Sequence, residues 1–279
     1  MASKHTLLLR MAGAYRRVVP LSARESLRLG SRIQSGFGRI EVARDRKAFE
    51  HQRLASTYPD EFPQGRAFPI YSDRNDHAGV ASGHYFHQDL LVARAIYASA
   101  PRRHIDVGSS IAGFVSHVAS FREIEVLDVR PIDSEVPGIT FIQQDVMALE
   151  DVTSLQADSV SCLHALEHFG LGRYGDSIDY DGWRKGLIGL TRMVESGGTL
   201  YLSVPTGEPQ RVEFNAHRVF TLPFLRSVLE EHFIVERLAF VLDNGALLDF
   251  VEPSSQQAQA SFNASYGCSI WVLTKRPLS

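Results

Sequence analysis

Several groups of ionisable residues in this chain have types and spacings that suit chemistry. The first is His164-Ala-Leu-Glu-His168, two imidazoles and a carboxylate within five residues. It formally matches the His-x-x-Glu-His zinc-protease pattern, which needs a long helix to bring both imidazoles onto one face. Gly170-Leu-Gly172 follows at once and argues against such a helix. What remains for His164 and His168 is either general-base work or closing a loop by hydrogen bonding. The second group is Phe214-Asn-Ala-His-Arg218, where His217 suits removal of a hydroxyl proton and Arg218 suits a phosphate or carboxylate. The third is a pair of acids at the ends of short apolar runs. Asp128 stands 20 positions after Gly108, where a carboxylate can accept both ribose hydroxyls of a nucleoside, and Asp145 is placed to meet an adenine amino group. Finally, His84-x-x-His87 with His77 and Asp89 has metal-like spacing, yet such pairs more often cap helices or line pockets, and no metal is expected.

The elements that must hold these residues can be read from periodicity. Ile105-Asp106-Val107 is a short apolar run that breaks at Gly108 and resumes beyond Gly113 with Phe114, Val115, Val118 and Phe121. Two-residue alternation giving way to helical spacing across small residues reads as strand, tight turn, helix. Such a turn lets backbone approach a ligand closely and offers free N–H groups at the helix start. Further strands are expected at 123–127, 140–142, 159–163 and 199–204, with helices at 113–121, 183–195 and 223–231. Strands alternating with helices argue for a doubly wound, mostly parallel sheet. Segments 233–241 and 268–273 are apolar strands with no helix between them, and are expected to form an antiparallel pair at the sheet edge.

Composition bounds the function. Apolar residues make up 44% and charged residues 22% of the chain, which suits a globular protein with a sizeable core. The net charge of −3 conceals an asymmetry: residues 1–39 hold eight basic side chains against the single acid Glu25. The remaining body is therefore acidic, which excludes nucleic acid as its natural partner. Leucines and valines interleave with the arginines of the leader, so it is expected either to dock loosely as helix or to touch an anionic membrane surface. Cys162 and Cys268 have no paired spacing and fit a reducing compartment, so the expected location is cytoplasmic, at the inner face of a membrane if the leader lies on one.

Taken in order, the turn at Asp106–Gly113, the acid Asp128, the acid Asp145, the segment Ser161–His168 and the Ser196-Gly-Gly-Thr-Leu-Tyr-Leu-Ser-Val-Pro205 strand resemble the class I S-adenosylmethionine-dependent methyltransferases over residues 84–275. Glu167-His-Phe-Gly-Leu-Gly-Arg-Tyr-Gly-Asp176 and Val204-Pro205 with Phe214–Arg218 resemble the uncharacterised DUF268 family. The resemblance implies a seven-stranded Rossmann-like sheet with antiparallel C-terminal edge strands. It implies three parts: a basic extension over 1–39, a loop-rich cap or linker over 40–83, and the methyltransferase-like domain over 84–279. S-adenosylmethionine is the implied cofactor, held by Asp106, Gly108, Ser110, Gly113, Asp128, Asp145 and His164. One departure stands out: Ser110 and Ala112 occupy two glycine positions of the usual turn, and a positive φ at Ser110 would be strained.

The implied reaction is methyl transfer, with O-methylation of a sugar or glycan precursor in surface-polysaccharide biosynthesis as the expectation. His217, His164 and His168 are the candidate catalytic residues. Tyr85, His87, Arg173, Tyr174, Asp176 and Arg218 are candidates for holding a small-molecule or glycan acceptor; the 173–182 loop reads equally as a turn in which Asp181 caps the next helix. Two rivals stay open. Gly108 and Gly113 match the outer glycines of a dinucleotide fingerprint, which would make the chain an NAD-dependent oxidoreductase, and the fold could instead be a non-catalytic scaffold in glycan assembly.

Overall fold

A computed structural model describes residues 21–277 apart from 64, 72, 76 and 77, with side chains from residue 38 onward. The first twenty residues of the basic leader, and His77, thus lie outside the described residues. The described chain forms two compact units that divide between Val80 and Ala81.

In the first unit, helix α1 (Leu21–Ala55) runs straight through the boundary expected at residue 39. No proline interrupts the sequence between Pro20 and Pro59, which is the local reason it continues. Arg53 closes its end by binding Glu50 at 2.7 Å and the Pro59 carbonyl at 2.7 Å, and Arg74 of the following irregular chain pairs with Asp45. No helix of the described residues is long and apolar enough to cross a membrane.

The second unit is the α/β domain. It runs α2 (His84–Ser99), β1 (His104–Val107), a turn with π-helical character leading into α3 (Ser116–Ala119), β2 (Ile124–Asp128), β3 (Ile139–Gln143), β4 (Ala157–Leu163), α4 (Gly182–Met193), β5 (Val194–Thr206), β6 (Arg211–Glu213), β7 (His217–Val219), α5 (Leu222–Leu229), β8 (Phe233–Val241), β9 (Leu247–Leu248), α6 (Gln256–Gln259) and β10 (Gly267–Lys275). The main sheet has the order β3-β2-β1-β4-β5-β10-β8-β9. Strands β3, β2, β1, β4 and β5 are parallel neighbours, and β10 inserts antiparallel between β5 and β8. This is the doubly wound, Rossmann-like methyltransferase architecture, with β9 adding a short eighth strand to the expected seven. The small β6–β7 hairpin stands apart, and its short polar strands carried no alternation by which to recognise it.

The strands are apolar because both sheet faces are covered. One core lies under α4 and α5, where Trp183, Leu187, Leu190 and Met193 recur at helical spacing and pack with Val160, Leu200, Leu202 and Trp271. The other lies under α2 and α3, joining Val92, Ile96, Phe114 and Val118 to Val126, Ile270 and Cys268. The carboxyl ends of the parallel neighbours β1, β2 and β4 share one edge of the sheet, and that is the edge at which open α/β sheets bind ligands.

Candidate active site

The turn after β1 is built by a buried acid. Asp106 is fully buried and accepts hydrogen bonds from the Ser109 amide at 3.0 Å, the Ser109 hydroxyl at 2.6 Å and the Ser161 hydroxyl at 2.6 Å. Ser109 Oγ in turn accepts the Leu163 amide at 3.0 Å, which ties the turn to the end of β4. Burial pushes Asp106 up to about 6, while its three donors pull the other way. Gly108 then turns with φ of +72°, and a Cβ there would sit 2.9 Å from the Ala165 Cβ. The positive φ therefore falls on glycine, whereas Ser110 is extended at φ −68° and its hydroxyl accepts the Gly113 amide at 3.2 Å. The strain expected at Ser110 is absent because Gly108 carries the left-handed step.

Beyond β2, both oxygens of Asp128 hold Arg130, whose Nη2 lies 2.6 Å from Oδ2 and Nε 2.9 Å from Oδ1. The Arg130 guanidinium also lies 4.3 Å above the Tyr174 ring. Asp145, after β3, accepts the Met147 amide at 2.9 Å. After β4 the chain turns at His164 with φ of +50°, a conformation that a non-glycine residue adopts at a cost of about 1–3 kcal/mol. Its amide is fixed by the Ser203 carbonyl at 2.9 Å and hydroxyl at 3.2 Å, and Ser203 donates to the buried Gln88 of α2 at 2.6 Å. His164 Nδ1 lies 2.8 Å from Glu167 Oε1. A carboxylate only accepts, so Nδ1 carries a proton in either charge state, and Nε2 offers a lone pair once the ring is neutral. Nε2 is buried without a hydrogen-bond partner, as is Glu167 Oε2.

Around this turn the histidines differ in charge. Burial opposes charge on His164, but nearby Cys268 and Glu167 outweigh it and hold its pKa well above the ordinary value. Burial lowers His168 against the pull of Glu167, and lowers His217 in the same way. His84, stacked on His164 with ring centres 5.2 Å apart, falls to about 4 through burial and the neighbouring imidazole.

Two adjoining clefts open at this edge. The first is lined by Gly108, Asp128, Arg130, Asp145, His164, His168, Tyr174 and Asp176 among apolar Val107, Leu127, Val146, Met147 and Phe169. The second is lined by Tyr85, Ser109, Ser110 and Ile111, and shares Gly108, Asp128, Arg130, His164 and Tyr174 with the first. Of the residues expected to hold a cofactor, Gly108, Ser110, Asp128, Asp145 and His164 thus meet here. Asp106 and Gly113 line neither cleft: Asp106 is spent on Ser109 and Ser161, and Gly113 faces Asp89.

The expected acceptor residues divide. Tyr85, Tyr174 and Asp176 line the clefts, with Asp176 also holding the loop by accepting the Gly170 amide at 2.8 Å and the Tyr174 amide at 3.2 Å. Arg173 donates to the Ala216 carbonyl at 2.9 Å and His87 contacts the Gly245 carbonyl at 3.1 Å. Arg218 is buried and its guanidinium is committed to the carbonyls of Glu167 at 3.3 Å, Phe169 at 2.6 Å and Tyr180 at 3.1 Å. It braces the loop instead of facing the clefts. His217 lines neither cleft; its Nε2 lies 3.3 Å from Glu213 Oε2 and its ring packs on Tyr266. Asp181 makes no side-chain cap to α4.

Sequence reasoning missed Arg130, Glu167 as the partner of His164, and Cys268. Arg130 had a local signal, a cation two residues beyond the ribose-type acid. Cys268 had none, because antiparallel pairing of β10 brings it beside residues a hundred positions away.

Comparison with known proteins adds the following. Residues 142–232 match the family model described as Caenorhabditis protein of unknown function, DUF268. The N-methyltransferase NodS from Bradyrhizobium japonicum WM9, solved with S-adenosyl-l-homocysteine, is 13% identical over 82% of this chain and 97% of that one, with a TM-score of 0.45. The 1,6-didemethyltoxoflavin-N1-methyltransferase of Burkholderia thailandensis is 16% identical over 75% and 100%, with a TM-score of 0.47. The [4+2]-cyclase SpnF is 14% identical over 68% and 82%, also at 0.47. Likeness of this degree assigns no activity. A search of the curated proteins finds no match to this chain.

Proposed function

We propose that the chain is an S-adenosylmethionine-dependent methyltransferase that acts on a hydroxyl oxygen, with a sugar or glycan precursor as the acceptor. The observation that carries this reading is the first cleft, whose lining includes Asp128, Asp145 and Gly108 together with apolar residues. That donor set fits a nucleoside: a carboxylate for the ribose hydroxyls, an apolar slot for the base, and an acid at its amino edge. Asp128 already binds Arg130, but a carboxylate offers about four lone-pair directions and can also accept ribose hydroxyls. Bound here, S-adenosylmethionine would supply an electrophilic methyl group that an acceptor oxygen displaces in line.

The chain's own task is then to align that oxygen and remove its proton. His168 suits the second role best. Its lowered pKa keeps it neutral at pH 7, and its Nδ1 donates to the Ala216 carbonyl at 2.6 Å, which leaves Nε2 as the acceptor. Glu167 Oε1, 3.7 Å from Nε2, would stabilise the imidazolium once formed. His164, held by Glu167 at 2.8 Å, serves as a positioning group. Tyr85 and Tyr174 offer ring faces and hydroxyls to a polyhydroxylated acceptor. The test is calorimetric titration with S-adenosylhomocysteine, on the wild type and on Asp128→Ala. Binding that Asp128→Ala weakens at least tenfold is expected; absence of binding, or capture of NAD in its place, overturns the reading.

A further inference from the structure

Three residues from remote parts of the sequence converge beside the clefts: His84 at the start of α2, His164 after β4, and Cys268 at the start of β10. One donor atom from each, a ring nitrogen of each histidine and the cysteine sulfur, lies within 4.8 Å of the other two. Cys268 is fully buried, His164 nearly so and His84 half-buried. We propose that His84, His164 and Cys268 bind a divalent transition-metal ion of the zinc class.

Four features support the assignment. The donor set, two imidazoles and one thiolate, is of the borderline softness that zinc prefers over magnesium or calcium. Zinc–nitrogen and zinc–sulfur bonds of roughly 2.0–2.3 Å in a tetrahedron put donors about 3.3–3.6 Å apart, so the three need to close by only about 1 Å. His164 Nε2 is buried with no hydrogen-bond partner, a costly state for a polar atom that a metal ion would relieve. Glu167 Oε1 fixes the proton on His164 Nδ1 at 2.8 Å, the carboxylate–histidine arrangement that orients an imidazole toward a metal. The metal-like spacing in the sequence was that of His84 with His87, from which no metal was expected, and His87 turns to the Gly245 carbonyl. The ion would clip the N-terminus of α2 and the inserted strand β10 to the turn that carries His164. Three protein ligands leave one position of a tetrahedral ion for water or an acceptor oxygen.

The test is titration of the chelator-treated full chain with cobalt(II), which reports thiolate ligation through a sulfur-to-cobalt charge-transfer absorption. One equivalent is expected to produce that absorption, zinc to displace it, and zinc to raise the melting temperature. Cys268→Ser should abolish it and Cys162→Ala should retain it, since Cys162 lies in the other core. Glu167→Gln should weaken cobalt binding roughly 10–100-fold. If Cys268→Ser fails to fold, His84→Ala carries the test, with at least a tenfold weakening expected. Absence of the charge-transfer band in the wild type, its survival in Cys268→Ser, or an unchanged titration in His84→Ala overturns the proposal. None of these readouts depends on methyl transfer, so the two readings fail separately.

Discussion

The buried pair His104 and Asp106 in β1 makes a prediction that follows from opposite shifts on one strand. His104 lies between the hydroxyls of Ser159 at 2.7 Å and Ser161 at 3.1 Å, and burial lowers its pKa to about 3. Asp106, two residues on, shares Ser161 and is raised to about 6, also by burial. For His104 the unfolded chain binds the proton first, so its contribution to stability is lost as pH falls from 6.5 toward 3. For Asp106 the folded chain binds the proton first, so stability is gained as pH falls from 6 toward 3.8. Each pKa unit is worth about 1.4 kcal/mol, so between pH 6 and pH 4 each group shifts stability by about 2 kcal/mol, with opposite sign. In the wild type the two contributions offset one another. His104→Phe removes one of them, so this variant should gain about 2 kcal/mol relative to wild type between pH 6 and pH 4, whatever its offset at pH 7. Asp106→Asn should lose a similar amount over the same interval. Urea unfolding followed by tryptophan fluorescence reads this domain alone, because both tryptophans, Trp183 and Trp271, belong to it. Differences from wild type that stay flat with pH in both variants would refute the reasoning.

Two further outcomes follow from the loops around the clefts. Arg218→Ala should destabilise the domain by about 3 kcal/mol in urea unfolding, because the Glu167, Phe169 and Tyr180 carbonyls lose a charged donor; a change below about 1 kcal/mol would show that water replaces it without loss. Arg130→Ala should tighten S-adenosylhomocysteine binding up to about fivefold in calorimetry, since it frees Asp128 from a half-exposed ion pair worth about 1 kcal/mol or less; weaker binding would make Arg130 a direct ligand contact.

How much of this was legible depended on how local the cause was. Strands β1 and β8 fall where periodicity placed them, β2 is displaced by one residue, and β3, β4, β5 and β10 extend their expected ranges by at most five residues at either end, because buried strands carry their apolar runs in contiguous sequence; the two-residue β9 was not expected. The acids Asp128 and Asp145 were legible for the same reason: their positions follow from strand ends, and strand ends follow from the runs. The histidines were not sorted by sequence. Proximity to strand β5 made His217 look central, yet the β6–β7 hairpin turns its ring toward Glu213 and Tyr266, while His168 reaches the cleft. Arg218 is the sharper case. A lone arginine after a strand reads as an anion-binding group, but here the chain over 167–180 presents three carbonyls, those of Glu167, Phe169 and Tyr180, that a long donor satisfies. The cluster of His84, His164 and Cys268 lies further still from local reading. It exists because β10 runs antiparallel between β5 and β8 and carries position 268 to the carboxyl edge of a parallel sheet, beside an imidazole held in a left-handed turn. A feature made by topology in this way shows in sequence only as three unrelated residues, and its chemistry appears only when the strand order is known.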